Sequence, residues 1–315
     1  MSHFTVIVVG GNIEDQLAPY AENLMIEFQS QEKEYRHEYE TQKTEVVMFK
    51  DGSWKWKFDN DFRKITQSFS SEYEYPADTT LEEKYFKDLF PSFEEYVEEY
   101  HSQTDREEKF NEYGYWHNPN SKWDWYTVGG RWTGYFKPKT GAVGQIGQPG
   151  AFGNKPTEGW VDSLKLKDID IEGMLATSRK AANDTYDKVD AILKGRSTPS
   201  WNAIREKHGE NIDEAREEYN SLQVVKDFNE ANFHVWGGLA ESFCNSREEY
   251  VEKCEKQTMV PYAVVKDGKW YQKGEMGWWG MGNNEISQDE WNEKFWEMIN
   301  SLDPETKLTL IDCHI

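Results

Sequence analysis

The sequence predicts an α+β fold: a mixed, largely antiparallel sheet with several hairpins and a helical insertion. Three observations carry that expectation. Apolar, β-branched runs lie at both ends of the chain, Phe4 to Val9 and Leu308 to Ile315. Asp-Gly and Gly-Gly pairs separate strand-like segments, and three S-x-x-E boxes open amphipathic stretches between them.

In chain order, Phe4 to Val9 reads as a buried strand closed by Gly10 and Gly11, and the matching C-terminal run places both termini in one sheet. Val46 to Trp54 and Val264 to Trp270 each hold an Asp-Gly pair, which supplies the positive φ angles of a two-residue type I′ turn. A third hairpin is expected from Lys122 through Trp123, Trp125 and Tyr126, turning at Gly129 and Gly130 and returning through Arg131, Trp132, Tyr135 and Phe136. Ser92 with Glu95, Ser246 with Glu249 and Ser287 with Glu290 mark helix starts; the last precedes one apolar face of Trp291, Phe295, Trp296 and Ile299.

Residues 137–159, with six Gly and three Pro, form a loop or linker. Residues 168–194 and 200–221 follow as two amphipathic helices, Pro199 suiting the first turn of the second. The segments group into a β-rich core with an acidic helix over 1–159, a helical insertion or arm over 160–221, and an α+β part over 222–315 that completes the core sheet.

Composition narrows the function classes. The 315 residues carry a net charge of −22, and the 14 Trp, 17 Tyr and 16 Phe supply apolar area that a disordered acidic chain lacks. No apolar run reaches the roughly 20 residues that span a bilayer, and Met1 to Gly10 is no basic leader, so a cytosolic protein without a membrane partner is expected. Three cysteines, Cys244, Cys254 and Cys313, argue for reduced thiols. The charge repels nucleic acid, so no direct nucleic-acid partner is expected.

Candidate chemistry is sparse. Cys244, Cys254 and Cys313 with His234 or His314 lack the close ligand pairs of structural zinc, so no metal and no cofactor are expected. Cys244 and Cys254 could pair as a disulfide only if the fold brings them close. Asp312 and His314 share one strand face, away from Cys313, and His3 joins them if the terminal strands pair. These three are the alternative catalytic set, for a small-molecule or nucleotide-modifying enzyme.

Gly10 and Gly11 lack a phosphate-loop spacing, and Trp236 to Leu239 and Trp278 to Gly282 read as aromatic-glycine turns. The aromatic island from Tyr113 to Trp132 could stack sugars or bases with Arg131 on an indole, although core packing explains such hairpins more readily; a stacking module would need two exposed coplanar indoles. Glu94, Glu95, Glu98 and Glu99 form a carboxylate ridge, with Phe93, Tyr96, Val97 and Tyr100 on the other side, which either solvates a helix or imitates a phosphate track.

Met1 to Val6 with Gln16 to Tyr20, the central Asn118 to Tyr126 with Gly129 to Trp132, and the closing Asp312, Cys313 and His314 together resemble a family of uncharacterised bacteriophage accessory proteins. The resemblance implies a phage or prophage origin and no activity. Acidic phage accessory proteins are often similar to inhibitors of host defence complexes, the Gabija anti-defence inhibitors being one group of comparable size. The expectation is therefore a non-enzymatic inhibitor in the host cytoplasm that blocks a host protein complex, such as a defence nuclease, by an acidic surface. Its partner-binding residues are Glu94, Glu95, Glu98, Glu99, Trp123, Trp125, Arg131 and Trp132. A homo-oligomer built on the helical insertion stays open, without a sustained heptad pattern to support it.

Overall fold

The computed structural model describes residues 2–65, 71–102, 104–150, 155–233, 237–277 and 281–315. The chain divides into two compact units, Met1–Ala21 with Asn120–Ile315, and Glu22–Pro119. The first unit opens with strand β1 (His3–Val9) and helix α1 (Ile13–Leu17). The second unit runs β2 (Glu27–Ser30), α2 (Glu32–Thr41), β3 (Lys43–Met48), β4 (Trp54–Trp56), β5 (Arg63–Ile65), β6 (Ser71–Tyr73), β7 (Thr80–Tyr85), α3 (Phe86–Leu89), α4 (Phe93–Tyr100), β8 (Asp105–Glu107) and β9 (Glu112–His117). The first unit then resumes with β10 (Trp125–Gly130), β11 (Gln148–Pro149) and β12 (Ser163–Lys165). Six helices follow, α5 (Ile171–Leu193), α6 (Trp201–His208), α7 (Ile212–Ser221), α8 (Gln223–Glu230), α9 (Leu239–Phe243) and α10 (Arg247–Lys256). Strands β13 (Ala263–Lys266), β14 (Lys269–Gln272), β15 (Glu275–Met276) and β16 (Gly282–Asn283), helix α11 (Gln288–Asn300) and strand β17 (Lys307–His314) complete it. The architecture is α+β, with mixed, mostly antiparallel sheets and several hairpins.

The central sheet of the first unit has the order β11-β10-β17-β1-β13-β14, with β12 also on β17. The terminal strands pair along their whole length, from His3 opposite His314 to Val9 opposite Leu308, and β13 lies parallel to β1 on its other side. Both faces are covered. Ile7, Val9, Leu308 and Leu310 meet Trp291, Phe295 and Ile299 of α11, while Phe4, Val6, Val8, Ile311 and Cys313 face Leu17 of α1. That double coverage explains why the terminal strands read as continuous apolar runs rather than alternating ones.

The β13–β14 hairpin turns at Asp267 and Gly268, with φ of 52° and 71°, as a type I′ turn requires. The β3–β4 hairpin forms but turns differently. Its loop spans residues 49–53, the Asp51 carboxylate accepts from the Ser53 amide and hydroxyl, and only Gly52 of the Asp-Gly pair has positive φ. The expected third hairpin does not form. Gly129 and Gly130 do turn the chain, with φ of 80° and 56°, but β10 pairs with β17 and β11, and Phe136 bridges Val161 instead of returning along β10.

All three capping serines accept the expected amide, from Glu95 at 3.1 Å, Glu249 at 3.2 Å and Glu290 at 3.2 Å. The helical region is longer than its expected bounds of 160–221. Tyr186, Val189 and Leu193 of α5 share one core with Tyr219 of α7, Val225 and Phe228 of α8, and Leu239 and Phe243 of α9. The stretch 200–221 is two helices, broken at Gly209 with φ 58°, and Ser200 rather than Pro199 opens the first. Phe152 of the glycine-rich loop lies outside the described residues, as do His234, Trp236 and Trp278 to Gly280.

Among the described residues, the second unit has three small sheets and its own core. Phe86, Phe90, Phe93, Tyr96, Val97 and Tyr113 are buried there against Tyr35, Tyr39, Trp54 and Trp56. Its bounds at 22 and 119 differ from the 1–159, 160–221 and 222–315 division expected from sequence: residues 125–128 pair with β17, and Phe136, Pro138 and Gln145 bridge Val161, Ile169 and Ser163 within the first unit.

Candidate functional site

The acidic helix is built from a two-sided pattern. In α4, Phe93, Tyr96 and Val97 are buried in the aromatic core while Glu94, Glu95, Glu98 and Glu99 are exposed, as is Tyr100, which the spacing places on the apolar side but which ends the helix. Burial pushes the Tyr96 hydroxyl far above its ordinary value; it shares a proton position with His101 Nε2 at 2.9 Å, which also meets Glu38 at 3.1 Å. In α2, Glu32 pairs with Arg36 and Glu40 with Lys87, and Glu38 meets His101 Nε2 at 3.1 Å. Among the described residues, none of the four α4 glutamates has an ion-pair partner. Residues 22–119 hold 24 of the 58 acidic side chains but 12 of the 36 basic ones, so over half of the net charge sits on under a third of the chain.

Trp123, Trp125 and Trp132, expected among the partner-binding residues, belong to the other unit, and their surroundings differ. Trp123 precedes β10 and is half-buried, its indole donating to the Leu17 carbonyl at 3.0 Å. Trp132 packs against the opposite core, and Trp125 alone is exposed, at 43%. Trp123 lies outside the strand, so strand alternation does not place it on one face with Trp125. A platform of coplanar indoles is therefore not formed by these three. Arg131 donates its backbone amide to Asp312 Oδ2 at 2.8 Å.

The terminal strands bring His3, Asp312 and His314 to one sheet face, as the alternation requires. Their partners differ from the simple pair expected. Asp312, 1% exposed, bonds His3 Nδ1 at 2.8 Å, and His314, 5% exposed, bonds Asp124 Oδ1 at 2.6 Å. Trp125 stacks on His314 with centroids 5.0 Å apart, and the two imidazoles meet edge to face at 4.9 Å. Cys313 points to the other face and is fully buried; burial, then Asp312 and Asp124, push its thiol well above the ordinary range.

Two acids escaped the sequence reading. Asp124 was visible only as a polar break between tryptophans. Asp162 is fully buried and accepts from Thr133 Oγ1, Gly134 N, Tyr135 N and Gly147 N at 2.6–3.2 Å. The signal for it was the glycine spacing at 129, 130, 134 and 147, which lets backbone close around a carboxylate. Cys244 and Cys254 are free, half-buried thiols, and among the described residues no group of three or more His, Cys, Asp or Glu is placed to hold a metal. No helix among them is long and apolar enough to cross a membrane.

No protein-family model, curated protein or solved structure matches the chain.

Proposed function

We propose that the chain is a non-enzymatic binding protein of bacteriophage origin, acting in the host cytoplasm, which blocks a host defence or nucleic-acid-processing complex through the acidic face of residues 22–119. The observation that supports this reading is the row of four exposed, unneutralised carboxylates on α4, backed by a rigid aromatic core. Such a row offers a basic cleft the charge pattern of a phosphate backbone without the nucleic acid. Trp123 and Trp132, expected among the partner-binding residues, are not part of this reading, since both are engaged in packing. The enzyme alternative at the termini is weaker, because Asp312 and His314 are nearly buried and bond different partners.

Affinity capture of the tagged full chain from a defence-competent bacterial lysate, washed at low and high salt, tests the proposal. A stoichiometric nuclease or helicase subunit that is released at high salt is the expected result. Capture that survives salt and the triple change Glu95→Lys, Glu98→Lys and Glu99→Lys would remove the acidic face from the interface.

A further inference from the structure

We propose that His3 and His314 form a site for a divalent transition-metal ion at one end of the central sheet, independent of the acidic face. The two residues are direct cross-strand partners, and Trp125 is the partner of His314 on the next strand. Each imidazole is held through Nδ1 by its own carboxylate, His3 by Asp312 at 2.8 Å and His314 by Asp124 at 2.6 Å. Each carboxylate is itself anchored by a backbone amide, Asp312 by Arg131 at 2.8 Å and Asp124 by Trp125 at 2.7 Å. Carboxylate-held imidazoles are the usual arrangement behind metal-ligating histidines, because the bond fixes the tautomer and leaves Nε2 as the basic nitrogen. Neither Nε2 makes a hydrogen bond among the described residues.

The two rings are in direct contact, with centroids 4.9 Å apart and planes at 73°, so one ion beside the pair is within reach of both side chains. Nitrogen donors select Cu2+, Ni2+ or Zn2+ over Mg2+ and Ca2+, which prefer oxygen. With two protein ligands, water completes the coordination, leaving open positions on the ion.

Calorimetric titration of the full chain with NiCl2 near neutral pH, in a Cys244→Ser and Cys254→Ser background, tests this. One ion per chain is expected, with no response to Mg2+. His3→Gln with His314→Gln should abolish binding, His37→Gln on the exposed face of α2 should leave it unchanged, and Asp312→Asn should weaken it about 10–100-fold. Failure of the parent to bind, or full binding by the double variant, would overturn the site. Should the double variant not fold, Ni2+ quenching of fluorescence decides: quenching present in the parent and lost in Trp125→Phe supports the site, and equal quenching in both overturns it.

Discussion

Asp162 is the side chain on which the glycine-rich segment of the first unit depends. Four donors converge on it from residues 133, 134, 135 and 147, so replacing one carboxylate oxygen with an amide sets a donor against donors. Asp162→Asn is expected to cost about 3 kcal/mol or more, read by denaturant unfolding. Gly130→Ala should be comparably harmful, since its φ of 56° is left-handed and a Cβ there would overlap the Asp312 side chain. Thiol chemistry offers a separate check. A thiol reagent at pH 7 should modify Cys244 and Cys254 first and reach Cys313 only after unfolding, because Cys313 is fully buried with a raised pKa. Little of this was legible from residue identity. Asp162 looks like any of 58 acids until the fold places amides around it, whereas the common face of His3, Asp312 and His314 followed from strand alternation alone.

At the scale of elements, helix starts were legible because capping is local. Ser92, Ser246 and Ser287 each bond the amide three residues on, whatever the rest of the chain does. The Gly129–Gly130 hairpin was misread because strand pairing is not local: two glycines announce a turn, but the partner of β10 is β17, some 180 residues away. Helix α4 gives a test that separates charge from folding. Glu94 and Glu95 sit in its first turn, where the macrodipole favours them, whereas Glu98 and Glu99 repel Glu94 and Glu95 from the last turn. Glu98→Lys with Glu99→Lys should therefore leave unfolding free energy unchanged or slightly raised, by a few tenths of a kcal/mol per relieved pair, while weakening partner binding. Glu241 gives a pH test. Burial alone would raise its carboxyl, but Ser200 Oγ at 2.5 Å and the amides of Asn202 and Trp201 at the start of α6 hold it below the usual range. A depressed folded pKa stabilises fully above the unfolded value, near 4.3 for Glu, and is lost as pH falls through the folded one. Wild type should melt above Glu241→Gln at pH 7, and the two should converge as the pH falls below the unfolded value and through the depressed folded one.

For the whole molecule, the α+β class and the pairing of the termini were readable from the end runs and turn residues, while the separation of residues 22–119 was not. Domain bounds depend on which distant segments share a core, and the aromatic clusters of the two units look alike in sequence: Phe86, Phe93 and Tyr96 build one, Trp291 and Phe295 another. The charge, by contrast, was visible in total but not in its distribution, with residues 22–119 carrying twice as many acidic as basic side chains. A binding role for that face requires long-range, screenable attraction. The most direct test is the association rate of the full chain with its captured partner, measured across a salt series for the wild type and for Glu95→Lys, Glu98→Lys and Glu99→Lys combined. The wild-type rate should fall steeply with salt and the variant should associate slowly at every concentration. Equal rates and equal salt dependence for the two would contradict an acidic interface.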